Sequence, residues 1–228
     1  MGVAAYAASI GHSVWFSYDF GESWNRAHTP TGGIYNESRC WSLSVHPNRP
    51  GEVLAGMDIG VYRWDHRQGQ WNYVPSPMDD LHIQQITQAP HDPNIIFAGT
   101  RPAEIFKSLD DGRTWQRCRL GNDTECWFIN TPRVTSIHFD PIEKETVWVT
   151  IEIDGVFKST DLGETWEKCN NGLVSDDTHN LVFFDNGDGS RTIWCSTEEG
   201  LHRSFDNGAN WIPHKVPEAP WLYMRCIK

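Results

Sequence analysis

The chain has 228 residues and a formal net charge of −11 at pH 7, from 19 Lys and Arg against 30 Asp and Glu. Nucleic acids and anionic membranes are bound through basic surfaces, so this charge argues against both as partners. The hydrophobic share of 39% and the length suit one globular all-β unit. The N-terminus lacks a basic segment followed by an apolar stretch, which predicts a cytoplasmic protein.

One eight-residue pattern recurs along the chain. Ser-x-Asp-x-Gly-x-(Thr/Ser)-Trp occurs at 17–24, 108–115 and 159–166, and a copy with Asn in the Thr position occurs at 204–211. A fifth, degraded copy spans 64–71, with its glycine displaced by one position. The closing tryptophans lie 44 to 51 residues apart, which is the length of a four-stranded sheet.

The pattern predicts a hairpin turn. The Asp carboxylate can fold back onto the following backbone amides, and the Gly can take the positive φ of a tight turn. Each copy follows a short alternating apolar run that predicts a strand. In chain order these runs are 13–16, 60–63, 104–107, 155–158 and 200–203.

The remainder of each repeat predicts two further strands joined by a turn rich in Pro, Asn or Gly. The paired segments are 43–47 with 53–56, 86–93 with 95–99, 136–141 with 147–150, and 181–185 with 192–195. No stretch has sustained helical periodicity. One repeat is therefore expected to form an inner strand, second strand, third strand, motif turn and outer strand.

Six cysteines show no closely paired metal-binding spacing, and several lie in predicted strands, as reduced core thiols do. They are Cys40, Cys118, Cys126, Cys169, Cys195 and Cys226.

The two ends are complementary in this scheme. Segment 3–8 predicts a second strand without an inner strand before it, and segment 222–228 resembles an inner strand. If the last strand completes the first four-stranded sheet, or blade, the chain has five blades. The alternative is that the chain is the first part of a propeller, a ring of such blades, with six or seven blades. The expected single domain covers 1–228, with blades at 1–33 plus 221–228, 34–78, 79–131, 132–175 and 176–220.

The recurring motif resembles the Asp-box, or BNR, repeat of sialidases, xyloglucanases, the sortilin luminal domain and photosystem assembly factors. This resemblance covers nearly the whole chain and implies a β-propeller of four-stranded blades. In those families the motif lies at the outer edge of the blade. The resemblance therefore assigns a structural role to the motif aspartates Asp19, Asp110, Asp161 and Asp206.

Chemistry in a propeller is expected at the mouth of the central channel, where loops entering the inner strands meet loops joining the second and third strands. Alternation along the strands then selects the side chains that face the channel. The candidate catalytic residues are His82, His179, Asp58 and Glu152, and the candidate substrate-binding residues are Arg39, Trp41, Arg101, Arg133 and Arg225. Acids, imidazoles and guanidiniums together suit an anion-binding pocket with acid/base capacity.

We favour a hydrolase or lyase acting on a small anionic or glycan-like substrate, because ionisable groups occur at the expected mouth in every repeat. Two carboxylates such as Asp58 and Glu152 would suit glycoside cleavage without a cofactor. A His cluster with Glu152 could instead hold a divalent metal, although no HxH or HExxH spacing supports it.

Two alternatives remain. Arg39, Arg133 and Arg225 could imitate the arginine cluster of sialidases, but the Arg-Ile-Pro segment and the Tyr/Glu pair of that family are missing, so sialidase activity is not expected. A non-catalytic binding or assembly propeller would use stacking tryptophans such as Trp41, Trp127 and Trp221, with 118–132 as a lid. An incomplete propeller would expose strand edges and pair with a second copy or a second chain.

Overall fold

The computed structural model describes residues 5–26, 38–49, 51–65, 67–122, 129–217 and 223–227. Their regular structure consists of β-strands, with no helix among them, and forms five successive antiparallel sheets. The predicted fold, an all-β chain built from the blades of a β-propeller, is confirmed. Trp127, Trp221, Cys126 and the middle of the predicted lid lie outside the described residues.

Consecutive strands are neighbours in every sheet. The first sheet contains β1 (Ala5–Ala8), β2 (Val14–Ser17) and β3 (Asn25–Arg26), and the second sheet contains β4 (Cys40–Val45), β5 (Glu52–Met57), β6 (Gly60–Asp65) and β7 (Gln70–Val74). The third sheet contains β8 (His82–Gln88), β9 (Ile96–Arg101), β10 (Ile105–Ser108) and β11 (Gln116–Cys118). The fourth sheet contains β12 (Val134–Phe139), β13 (Val147–Ile151), β14 (Gly155–Ser159) and β15 (Glu167–Lys168), and the fifth sheet contains β16 (Thr178–Asp185), β17 (Arg191–Thr197), β18 (Gly200–Ser204) and β19 (Ile212–His214).

The chain divides into two compact units. The first unit contains residues 1–101 and 105–117, and the second contains residues 102–104 and 118–228. The expected single domain and its blade boundaries stay predictions.

In the first unit, strand β5 is buried on both faces. Along β5, Val53, Ala55 and Met57 join one apolar cluster, whereas Leu54 joins another cluster with Ile83 of the third sheet. Both faces of this strand are thus covered, which explains its continuous apolar sequence. In the second unit the core contains Trp148, Val156, Leu181, Ile193, Cys195 and Trp211.

The four clear motif copies form the same turn. In the third copy, Ser159 Oγ donates to Asp161 Oδ1 at 2.7 Å, and Thr165 donates from its N–H to Oδ1 at 2.9 Å and from Oγ1 to Oδ2 at 2.6 Å. Gly163 has a φ of +81°, as predicted for the turn. The same bonds are made by Asp19, Asp110 and Asp206. Each motif carboxylate therefore fixes its own hairpin.

The degraded copy forms a simpler turn that is linked to the next sheet. Asp65 Oδ1 accepts the N–H of Arg67 at 2.8 Å, and Gly69 has a φ of +65°. Arg63 then reaches the third sheet, where its two guanidinium nitrogens donate to the Asp111 carboxylate at 2.9 and 2.7 Å. A forked contact of this kind fixes both distance and orientation.

The predicted inner strand at 222–228 is wrong as a strand, because residues 223–227 are irregular. The Met224 N–H donates to the Thr197 carbonyl at 3.1 Å, so this segment bonds to the fifth sheet. The first sheet has three described strands. Closure of the first blade by this segment, and with it the number of blades, stays a prediction.

Five cysteines are described, and all five are free thiols. Within the described ranges, no helix is long and apolar enough to cross a membrane.

The motif aspartates should make stability depend on acid pH. The Thr114 and Thr165 hydroxyls, assisted by backbone amides, lower the pKa of Asp110 and Asp161 to about 2. A depressed pKa stabilises the fold above the ordinary value of 3.8 and loses this effect as pH falls towards about 2. Urea denaturation of the Asp110→Asn/Asp161→Asn variant should therefore show a shallower loss of stability over this interval. The stabilising role of the two aspartates would be contradicted if the free energy of unfolding of this variant fell with acid pH as steeply as that of Asp80→Asn.

A buried ion pair joins the fourth and fifth sheets. Arg191 Nη2 lies 2.6 Å from Asp140 Oδ2, and the two side chains are 5% and 0% exposed. Trp148 Nε1 also donates to this carboxylate at 3.0 Å. Arg191→Met should lower the free energy of unfolding by about 3–5 kcal/mol, because it leaves a buried carboxylate without its cation.

Chemical denaturation measures this loss, with the exposed Arg119→Met as control. Arg191→Met/Asp140→Asn should recover part of the stability, since the unpaired charge is then gone. Equal stabilities for Arg191→Met and Arg119→Met would show that the pair contributes little.

Candidate functional site

A β-bulge lies at the same place in the inner strand of each four-stranded sheet. The ladder register shifts between Cys40 and Ser42 in β4, and equivalent shifts occur in β8, β12 and β16. A bulge redirects one side chain and is common beside active sites. The four bulged residues are Trp41, Gln84, Thr135 and His179.

These bulges align the repeats and define a set of positions that we call the rim. Each repeat contributes the residue preceding the bulge by two positions, the bulged residue itself, and the residue opposite on the second strand. The residues two positions before the bulge are Arg39, His82, Arg133 and Asp177. The residues opposite them, at the end of the second strand, are Asp58, Arg101, Glu152 and Glu198. In three repeats a backbone hydrogen bond joins the residue before the bulge to the residue opposite it. In the second sheet, for example, the Asp58 N–H donates to the Arg39 carbonyl at 3.1 Å.

The rim contains all four candidate catalytic residues and four of the five candidate substrate-binding residues. Arg225 lies instead in the 223–227 segment. Asp177 was not among the residues selected from the sequence, although it occupies the same position as Arg39, His82 and Arg133. The structure places His179 in register with Trp41. This equivalence is set by the pairing between strands, which the apolar pattern of a single strand does not specify.

The rim of the first unit places a carboxylate near a flat pair of rings. Asp58 Oδ1 accepts the N–H of Arg39 at 3.2 Å, which fixes the carboxylate at the tip of the β5–β6 hairpin. Trp41 stacks on His82 with ring centroids 6.4 Å apart and planes inclined by 17°. Arg101 lies opposite His82 in the β8–β9 ladder. This combination can stack on a sugar ring and donate to or accept from its hydroxyls.

In the second unit, the rim carboxylates bond to other side chains. Arg133 Nη2 lies 3.2 Å from Glu152 Oε1, with both side chains mostly buried. Ser175 Oγ donates to Glu198 Oε1 at 2.9 Å. The arginine compensates the charge of Glu152 and restricts its rotamers.

His179 contacts the chain through both ring nitrogens. Its Nδ1 donates to the Met224 carbonyl at 2.7 Å, and its Nε2 lies 3.3 Å from Asp177 Oδ1. The side chain is buried, and the Tyr223 ring lies 4.8 Å away. Burial lowers the His179 pKa, but Asp177 and the Met224 carbonyl outweigh burial and raise it above its ordinary value. Asp177 and the Met224 carbonyl thus stabilise the cationic form of the ring relative to a free imidazole, and the Nδ1 bond holds the 223–227 segment on the fifth sheet.

Arg225 lies near the same groups. Its Nε donates to the Tyr223 hydroxyl at 3.2 Å, and its guanidinium lies 5.6 Å from the centre of that ring. Tyr223 raises the pKa of Arg225, with smaller contributions from Glu152 and Asp177. Arg225 thus adds a cation beside the second-unit rim, although it does not occupy a rim position.

No group of three or more His, Cys, Asp and Glu side chains has an arrangement suited to a metal ion within the described part of the chain. The divalent metal considered from the sequence therefore has no ligand set among these residues.

The ionisation of His179 can be measured directly. Asp177→Asn should lower the His179 pKa, because it removes the facing negative charge. A raised pKa stabilises the fold below 6.5 and loses this contribution as pH rises through the folded value, so the variant should lose stability chiefly on the acidic side. Proton NMR titration of the imidazole resonances measures the shift, with Asp80→Asn as control. An unmoved His179 resonance would exclude the pairing.

The chain is similar to glycan-degrading enzymes, although no family model matches it. The chain is 30% identical over 175 residues to a probable oligoxyloglucan-reducing end-specific xyloglucanase of Neosartorya fischeri, covering 70% of this chain and 21% of that protein. It is 26% identical over 208 residues to the xyloglucanase Xgh74A of Acetivibrio thermocellus, covering 74% and 24%. The chain thus spans about a fifth to a quarter of these relatives.

The fold comparison agrees. The crystal structure of an ancestral GH74 enzyme superposes with a TM-score of 0.69 at 20% identity, over 92% of this chain and 29% of that one. At this identity the likeness establishes the fold. The chain is therefore an all-β, propeller-type protein with xyloglucanases among its homologues.

Proposed function

We propose that this chain acts on glycans as a glycoside hydrolase, with xyloglucan as the substrate class. Its relatives named as xyloglucanases match 70% and 74% of its length. The motif turns have the bonding expected of Asp-box repeats, which supports membership of the wider group of Asp-box propellers. The observation that carries the proposal is the first-unit rim, where Asp58 lies on the same rim as the Trp41–His82 stack.

Glycoside hydrolysis needs one carboxylic acid that protonates the leaving oxygen and one carboxylate that activates water or attacks the sugar. We assign Asp58 to this pair, because the Arg39 backbone holds it at a hairpin tip. Trp41 and His82 provide the surface on which a sugar ring stacks, and Arg39 and Arg101 donate to hydroxyl groups. This chemistry requires no cofactor.

In the second unit, the rim carries its own candidate residues. Glu152 is the further candidate carboxylate, oriented by Arg133 at 3.2 Å. Arg225 extends the binding surface. His179 is better explained as a positioning residue, because its Nδ1 is committed to the Met224 carbonyl and its Nε2 faces Asp177. The cytoplasmic location expected from the sequence is retained as part of the proposal.

The test uses Asp58→Asn, which keeps the size of the side chain and removes its acid/base function. Turnover of xyloglucan oligosaccharides should fall by about 10²–10⁴-fold, whereas calorimetric binding should change little. Asp80→Asn, an exposed aspartate of the same unit, is the matched control. If Asp58→Asn keeps the turnover of the unaltered chain, Asp58 is not one of the reacting carboxylates.

A second candidate is a glycan-binding module without catalysis. In the second unit, Arg133 pairs with Glu152, and Arg225 bonds to Tyr223. These side chains therefore bond to one another and form a rigid surface. Such a surface suits recognition. Xyloglucan binding by the unaltered chain without product release, weakened in Trp41→Ala, would favour this candidate over the enzyme.

A further inference from the structure

In three of the sheets, a polar side chain that follows the outer strand contacts the hairpin between the second and third strands. In the third sheet, Asn122 Nδ2 donates to the Ala103 carbonyl at 2.8 Å. In the second sheet, Asp79 packs against Gly60, and a Cβ on this glycine would lie 3.2 Å from Asp79 Oδ1. The fourth sheet makes the equivalent contact through Asn170, which forms a larger set of bonds.

Asn170 holds its hairpin through both polar atoms of its amide group. Its Oδ1 accepts the Val156 N–H at 2.8 Å, and its Nδ2 donates to the Asp154 carbonyl at 3.2 Å. Gly155 lies between these two residues and has a φ of +90°. A Cβ at Gly155 would lie 2.0 Å from Asn170 Nδ2, so a glycine is needed here for the amide group to reach the backbone.

The same amide nitrogen also reaches the entry of the fifth sheet. Asn170 Nδ2 donates to Asp176 Oδ1 at 2.9 Å, and the Asp176 carbonyl accepts the Thr178 N–H at 3.0 Å. Asp176 therefore belongs to the turn that presents the rim residue Asp177, whose Oδ1 lies 3.3 Å from His179 Nε2. Asn170 thus joins the hairpin of the fourth sheet to the turn before the inner strand of the fifth sheet.

The fifth sheet contacts the same hairpin through its inner strand. Thr178 Oγ1 lies 2.9 Å from the Gly155 carbonyl and 3.1 Å from the Ile151 carbonyl, and this side chain is fully buried. Glu152, the rim residue next to Ile151, donates its N–H to the Arg133 carbonyl at 3.0 Å. The backbone around Glu152 is thus held by residues at the start of both inner strands.

Two carboxylates of this rim face one cation. Tyr223 makes the largest contribution to the raised pKa of Arg225, and Glu152 and Asp177 raise it further. Carboxylates that share a cation also repel each other, so their separation determines how both interact with it. Asn170 is uncharged and bonds to the chain close to each of them. It therefore fixes their separation without adding charge to the rim.

We propose that Asn170 is a positioning residue of the second-unit rim. It sets where the Glu152 hairpin lies relative to the Asp177–His179 pair, so that the rim groups of the fourth and fifth sheets form one preorganised surface. That this surface contacts a glycan rests on the function proposed above, whereas the positioning does not. Asn170 acts through these rim groups and is not itself a catalytic residue.

Asn170→Ala should alter both ends of this link. Exchange of the Val156 amide hydrogen with solvent should become about tenfold faster, because the side-chain acceptor is lost. The His179 pKa should fall by about 0.5, because Asp177 is no longer held facing the ring. Hydrogen-exchange NMR and proton NMR titration measure the two effects on the same protein.

Asn171→Ala is the matched control. This neighbouring asparagine donates instead to Asn210 Oδ1, at 2.6 Å, in the motif turn of the fifth sheet. It should leave the Val156 exchange rate and the His179 pKa as they are in the unaltered chain. Asn170→Ser, a milder change, provides the same test if Asn170→Ala fails to fold, and near-ultraviolet circular dichroism verifies the fold of each variant.

The proposal is overturned if a folded Asn170 variant titrates His179 as Asn171→Ala does. Faster Val156 exchange with an unmoved His179 pKa would likewise overturn it, because Asn170 would then stabilise only its own hairpin. Calorimetric binding of xyloglucan oligosaccharides, expected to weaken about tenfold in Asn170→Ala, tests the proposed function separately. If the unaltered chain binds no such glycan, the proposed function fails, and the His179 titration still decides the role of Asn170.

Discussion

The bonds around the motif aspartate are the constraint on which the rest of this fold depends. One carboxylate accepts from a serine hydroxyl, a backbone amide and a threonine hydroxyl within eight residues, as Asp161 does. These bonds are local, so the turn does not need a preformed core to become specific. Once the turn is fixed, the third and outer strands have a single register, and the apolar alternation on both sides determines which face is buried.

This register separates the motif turns, which are structural, from the rim, which contains the candidate site residues. The motif turns lie at one end of the third strand, whereas the rim lies at the hairpin between the second and third strands and at the start of the inner strand. The frame repeats closely, with an equivalent bulge in β4, β8, β12 and β16. The side chains at the bulge do not repeat: Trp41, Gln84, Thr135 and His179 differ in size, charge and hydrogen-bonding capacity. The side chains at the bulge therefore differ from sheet to sheet, while the backbone that holds them stays the same.

The sequence predicts local features of this chain well and long-range features less well. The motif turns, the strands before them and the positive φ of Gly163 follow from short patterns with a direct physical cause. The place of Asp177 at a rim position was not predictable, because it depends on which residues of β16 and β17 pair with each other. The irregular 223–227 segment was misjudged for a related reason: its alternation suits a strand, but a strand also needs a partner, and the His179 side chain takes the Met224 carbonyl instead.

The candidate site divides in the same way. Residue type and repeat position were sufficient to select Asp58 and Arg101 in the first unit, and Glu152 in the second, at equivalent positions of their own sheets. Their pairing was not predictable, because it depends on side-chain geometry across strands. Arg133 compensates Glu152, while the Asp58 carboxylate is held by a backbone amide and the Trp41–His82 stack provides a flat surface on the same rim. The backbone amide of Arg39 holds Asp58, whereas the side-chain cation of Arg133 holds Glu152. For this reason we propose the first-unit rim for chemistry and the second-unit rim for rigid recognition.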